Sequence, residues 1–217
     1  MKLHCIDCGL PFEAEVSGSV NVREHPELKE KVLDGSLFME TCPHCGRVNL
    51  LGQALLYNDP DQKILMWLLP EENGTRNVEA SIKAAIAGSN PALLEGYTTR
   101  IVRTAGDLME KVKIFDSGLD DLVMELCKHV TKLELAGDEK DKARLQAISK
   151  APFKFFRLDG PDNDIEFTYP LDGRMVGARV GFNFYEDCAG IVSRNPSMRP
   201  SDPFQVIDSA WVERFIG

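Results

Sequence analysis

Cys5-Ile6-Asp7-Cys8-Gly9 and Cys42-Pro43-His44-Cys45-Gly46 are the residues in this chain most able to do chemistry. Each is a C-x-x-C-G turn. Two residues between cysteines let both sulfurs of one turn reach a single metal at about 2.3 Å. Glycine after the second cysteine accepts the positive φ that turns the chain back. Amide N–H groups in such a turn can point at the sulfurs and stabilise their charge. Two turns brought together supply four thiolates, which fill the shell of a tetrahedral Zn2+ and leave no position open for substrate. The spacing therefore predicts a structural zinc site built from Cys5, Cys8, Cys42 and Cys45. A rubredoxin-like iron centre uses the same paired turns and stands as the second reading, ahead of a redox dithiol. A Zn2+ with four thiolates carries a formal charge of -2. Lys2, His4, His44 and Arg47 lie close enough in sequence to offset it.

Thirty-three residues separate Cys8 from Cys42. They must fold and return for the two turns to meet. Phe12–Ser17 and Ser19–Val22 alternate as strands. Pro26–Leu33 reads as a short helix, with Pro26 in its first turn and Asp34-Gly35 at its end. Leu37–Glu40 is a strand into the second turn, and Val48–Tyr57 a strand out of it. Asn58-Asp59-Pro60-Asp61 is a turn that sends Lys63–Leu69 back antiparallel. Helices follow over 77–87, 106–115 and 119–135. In the last of these Leu119, Leu122, Val123, Leu126, Val130 and Leu133 form an apolar stripe. Gly137–Lys142 reads as a charged linker. Beyond it, strands are expected at 153–157, 165–169, 175–181 and 204–207. A helix is expected over 182–191, and Asp208 is placed to cap a last one, Ser209–Ile216. On that helix Trp211, Phe215 and Ile216 share an apolar face.

The pattern predicts an α+β protein. A zinc-ribbon-like N-terminal domain of antiparallel strands and helices occupies 1–125. A connecting helix and charged linker cover 126–145, and a small C-terminal α+β domain covers 146–217.

The metal turns and their surroundings resemble the CpXC family of bacterial and archaeal proteins. The resemblance extends through Ser19-Val20-Asn21, Glu27 to Phe38, Leu56-Tyr57-Asn58-Asp59, Arg100-Ile101-Val102 and Lys113 to Asp121. It covers residues 1 to about 125. It implies a zinc-ribbon-like domain with the four N-terminal cysteines as ligands, and it implies no particular activity. Ile6 stands where proline is usual, so the first turn lacks that ring's constraint while keeping both sulfurs.

Composition narrows the function. The 217 residues are 43% hydrophobic and 27% charged, ordinary for a soluble protein. The net charge is -9. Residues 1–118 hold 12 basic and 17 acidic side chains, and residues 119–217 hold 13 and 17. Acidity spread in this way, without a basic run, disfavours nucleic acid as a partner. No apolar stretch approaches the roughly 20 residues of a membrane span. The N-terminus lacks an apolar signal core, so a cytoplasmic location with reduced thiols is expected.

Catalytic sets are hard to assemble. Four histidines are scattered, and no phosphate-binding or dinucleotide-binding glycine motif occurs. His4 and His44 read as neighbours of ligands rather than ligands. Cys127 and Cys188 read as buried, inert thiols. Asp159–Asp164 lacks the glycine and glutamate of a calcium loop and reads as a hairpin turn. Asp120-Asp121 suits a helix start. The function read from the sequence is a non-catalytic, zinc-stabilised module that binds an unidentified protein. An enzyme with its site at the junction of the two domains is the alternative, with Asp116, Asp120 and Asp121 as its first polar candidates.

Overall fold

A computed structural model describes residues 2–70, 79–82, 84–85 and 91–216. Of the helix expected over 77–87, residues 79–82 and 84–85 are described and are helical, and the rest lies outside the described residues. The chain forms two compact units. One is Met1–Met109 with Pro203–Gln205, and the other is Glu110–Asp202 with Val206–Gly217. The fold is mixed α+β, as the sequence pattern implies.

The first unit begins with a hairpin of β1 (Lys2–His4) and β2 (Pro11–Glu13). After β3 (Ser19–Asn21) comes α1 (Pro26–Leu33), which has proline in its first turn and Lys31 in its last. A single 3-10 turn, Ser36–Phe38, leads into a second hairpin of β4 (Met39–Thr41) and β5 (Val48–Leu50). Gly35 enters that turn at φ 81°, a conformation that favours glycine. The main sheet has the order β3-β6-β7-β8, with β6 at Leu55–Asp59, β7 at Ile64–Leu68 and β8 at Thr98–Val102. Its centre is the antiparallel β6–β7 hairpin, and β3 and β8 each add in parallel. Leu55, Tyr57 and Asp59 alternate inward along β6, as Ile64, Met66 and Leu68 do along β7. That period of two is the expected signature of a sheet with one buried face.

Two expectations are corrected in this unit. Val48–Tyr57 is not one strand. It breaks over 51–54 because β5 belongs to the small hairpin and β6 to the main sheet. Residues 204–207 do not form a strand either. Phe204 sits at φ 57°, outside the extended region, so only one bridge forms, between Arg100 and Gln205. The segment is tied by Phe204 N donating to Thr99 Oγ1 at 3.0 Å.

In the second unit α3 (Asp121–Asp138), α4 (Lys142–Lys150), α5 (Phe182–Arg194) and α6 (Ser209–Glu213) accompany an antiparallel sheet. That sheet is β9 (Lys154–Asp159), β10 (Asp164–Leu171) and β11 (Arg174–Val180). The preceding helix, α2 (Ala105–Asp116), contributes Glu110–Asp116 to this unit. One apolar core joins Leu122, Met124 and Leu126 of α3 to Phe155, Ile165 and Phe167 of the sheet, Phe153 just before it and Val192 of α5. Phe153 and Tyr169 stack there with ring centroids 4.1 Å apart.

Three further expectations change here. Leu133 of the α3 stripe is 58% exposed, on the side of the helix away from the core that still covers Leu135 and Ala136. The charged stretch 137–142 is shorter as a connector than it reads. α3 continues to Asp138, and Asp141 caps the next helix by accepting from Ala143 N and Arg144 N. The last helix ends at Glu213, with Trp211 buried but Phe215 and Ile216 exposed. The acidic hairpin is as expected: Asp159 pairs with Asp164 around a turn that holds Gly160 at φ 72° and Asn163 at φ 55°. No helix among the described residues is long and apolar enough to cross a membrane.

Candidate metal centre

The two cysteine turns occupy equivalent places in the two small hairpins. His4 pairs with Pro11 across residues 5–10, and Thr41 pairs with Val48 across residues 42–47. Their hydrogen bonds repeat as well. Cys5 N donates to Leu10 O at 3.1 Å, and Cys42 N to Arg47 O at 2.8 Å. Gly9 N donates to Cys5 O at 3.0 Å, and Gly46 N to Cys42 O at 2.9 Å. Both glycines have positive φ, 71° and 76°. A β-carbon added at either would meet open space, so backbone conformation alone explains the glycine there. With Ile6 in place of proline the first turn keeps the same backbone-to-backbone hydrogen bonds as the second.

The turns converge. All four sulfurs lie within 4.8 Å of one another. Cys5 Sγ is 3.5 Å from Cys45 Sγ, and Cys8 Sγ is 3.8 Å from Cys42 Sγ. Four sulfurs each about 2.3 Å from a central ion stand about 3.8 Å apart along the edges of a tetrahedron. The cluster therefore has the donor atoms and the size to hold one metal ion. The first cysteine of each turn is buried and the second exposed. Cys5 and Cys42 pack with Phe12, Ala14 and Leu51 in a small core of their own, flanked by Leu3 and Val16. The apolar residues of β2 and the segment after β5 thus support the turns from beneath.

Electrostatics separate the Cys5, Cys8 and Cys45 thiols. The Cys8 N–H bonded to its sulfur, aided by the Asp7 N–H, outweighs burial and brings Cys5 down to about 6. For Cys45 the Arg47 N–H pulls the other way, but burial and the Cys5, Cys8 and Cys42 thiols push it up to about 12. The Cys8 thiol is raised in the same manner, against an opposing bond from the Leu10 N–H. Four sulfurs this close resist carrying charge together unless a cation sits among them.

His44 is not part of the cluster. Its Nε2 lies 3.3 Å from Pro11 O, which joins the second turn to the first hairpin. Asn49, which the sequence reading passed over, reaches both turns and is 3% exposed. The signal was present in outline. Asparagine is depleted in strands, yet it stands between Val48 and Leu50 directly after the second turn.

The aspartates offered for an enzymatic site have other positions. Asp120 caps α3, accepting from Leu122 N and Val123 N at 2.9 and 3.2 Å, and pairs with Arg199 at 2.7 Å. Asp121 is buried and pairs with Lys111 at 2.8 Å. Lys111 also approaches Glu125 and donates to Ile207 O at 2.8 Å. Glu125 accepts from Lys128, which also pairs with Glu110. Glu110 in turn accepts from Lys154 and from Phe155 N. This buried chain of alternating charges escaped the sequence reading. Asp121, Glu125 and Lys128 share one face of α3 at i, i+4 and i+7, but only the fold shows that the face is buried. Cys127 and Cys188 are buried, as expected. The Cys188 thiol and burial push Cys127 up, which marks it as an unreactive thiol.

No curated protein matches the chain, and no solved structure does. The family described as CpXC protein matches residues 3–128, more than half of the sequence and all four clustered cysteines. The chain belongs to the CpXC family.

Proposed function

We propose that Cys5, Cys8, Cys42 and Cys45 hold one structural Zn2+, and that the chain is a non-catalytic module for binding another protein. The observation that carries the metal reading is the convergence of four sulfurs at tetrahedral separations. Four thiolates complete the shell, so the ion has no vacancy for a substrate or an attacking water. Its role is to hold the β1–β2 and β4–β5 hairpins together. Hairpins of three-residue strands need such support, since two strands alone are marginal in water. Reduced thiols suit a cytoplasmic setting.

The protein-binding reading is supported by the outer face of the second hairpin. Met39 and Leu50 are cross-strand partners, and Val48 lies two residues from Leu50 on the same face. All three are exposed, Leu50 at 77%. Clustered exposed apolar side chains mark interaction surfaces more often than scattered ones do.

Metal analysis of the purified protein tests the first part. One zinc per chain is expected, lost together with the folding of the N-terminal hairpins in the Cys5→Ser/Cys8→Ser variant. A coloured protein carrying iron, or hairpins that fold unchanged in that variant, overturns it. For the second part, a discrete partner protein is expected to co-purify with the wild type and to be lost on Leu50→Asp, with zinc content unchanged. Recovery that ignores Leu50→Asp overturns that part.

A further inference from the structure

We propose that Asn49 is a positioning residue of the metal centre: it ties the two cysteine turns together and hydrogen-bonds the Cys5 sulfur. This rests on the metal reading above. Asn49 Oδ1 accepts from Ile6 N at 2.9 Å, inside the first turn. Its Nδ2 donates to Arg47 O at 2.9 Å, at the close of the second. A backbone N–H only donates and a carbonyl only accepts, so these two partners fix which end of the amide is which. The second Nδ2 hydrogen is then free to point at Cys5 Sγ, 3.8 Å away. Every donor of the side-chain amide has a partner, in keeping with its burial.

The consequences are chemical as well as mechanical. Arg47 O also accepts from Cys42 N, so Asn49 grips the atom that closes the second turn. The amide thereby sets the two pairs of sulfurs in register through protein contacts alone. Its N–H directed at Cys5 adds to that of Asp7 N, 3.4 Å from the same sulfur. Hydrogen bonds to a metal-bound thiolate withdraw electron density from sulfur and stabilise its charge. Partners of this kind, beyond the ligands themselves, typically alter metal affinity by roughly 10- to 100-fold when removed.

Co2+ provides the readout, because its sulfur-to-metal charge-transfer band reports on sulfur electron density. Full-length wild type, Asn49→Ala, Asn49→Asp and the control Leu145→Ala are titrated with Co2+ and then with Zn2+ against a chelator. Asn49→Asp keeps the volume and the acceptor for Ile6 N but forfeits both N–H donors. We expect both Asn49 variants to bind metal roughly 10- to 100-fold more weakly, with the charge-transfer band moved to lower energy. Leu145→Ala, at an exposed position on α4 of the other unit, should match the wild type. If the wild type binds Co2+ tetrahedrally and the Asn49 variants share its band and affinity, the assignment of Asn49 is wrong and the metal reading stands. A fall in melting temperature alone, without the band shift, also overturns it. A wild type that takes up no metal overturns both.

Discussion

Each cysteine turn is a local solution that its own residues dictate. The first cysteine turns inward, the glycine reverses the chain, and amide N–H groups are left facing sulfur. The two turns differ in residue detail, Ile6 against Pro43, and agree in backbone-to-backbone hydrogen bonding. What the turns cannot settle alone is protonation. With Cys5 down at about 6 and Cys45 up at about 12, the metal-free cluster is only partly ionised at neutral pH. A metal must displace the remaining protons, since only thiolates bind it. Acid therefore competes with the metal, and affinity rises with pH across the neutral range. Calorimetry at pH 7 in buffers of different ionisation enthalpy should register release of more than one proton per metal bound. Release of none would mean that the cluster is already fully ionised.

At the scale of elements, the buried charges between α2, α3 and β9 are the main departure from a plain apolar core. Burial by itself would push the Glu110 carboxyl up, but the Lys128 and Lys154 ammonium groups and the Phe155 N–H hold it below the usual carboxylate range. Burial would lower Lys128, yet Glu125 and Glu110 hold it above the ordinary lysine range. A depressed carboxylate stabilises the fold above its unfolded pKa, about 4.3, and that contribution is lost as pH falls through the lower folded value. A raised lysine stabilises below its unfolded pKa, about 10.4, and loses that contribution as pH rises through the folded value. Both contributions are thus in place at neutral pH. Replacing one partner exposes the cost of the other. Glu110→Ala leaves Lys128 with Glu125 alone and Phe155 N–H without its acceptor. A loss of about 3–5 kcal/mol is expected, read from the denaturant midpoint of this unit. A loss under about 1 kcal/mol would show that Glu125 and solvent compensate.

For the whole molecule, two units with separate cores imply separate responses to metal removal. Among the described residues, the small core beneath the cysteine turns comprises Cys5, Phe12, Ala14, Cys42 and Leu51 with their flanking residues, so two of the four sulfur donors belong to it. The α3–sheet core of the other unit has no such dependence. Chelation should therefore abolish amide protection in β1, β2, β4 and β5 while protection in β10 and α3 persists. Hydrogen exchange with and without chelator measures this. Equal loss across both units would overturn it.

Much of this was legible in the chain. The cysteine spacing announced the turns, the Asn58-Asp59-Pro60-Asp61 turn between two apolar runs announced the β6–β7 hairpin, and Asp120, Asp141 and Asp208 are all helix caps. The cap at Asp141 nevertheless went unread, because the charge around it resembles a linker. Strand β8 and the break between β5 and β6 were also hidden. Which sheet a short apolar segment joins depends on partners distant in sequence, and local pattern carries no record of them.

The sequence by itself determined the four cysteines, the form of their turns and the family, because these follow from residue type at fixed local spacing. Tertiary structure alone decided that the turns meet, that Asn49 joins them, and that Asp121, Glu125 and Lys128 face inward. The reason is physical. A turn is closed by neighbours a few residues apart, whereas burial and long-range pairing are set by what the folded chain brings against each face.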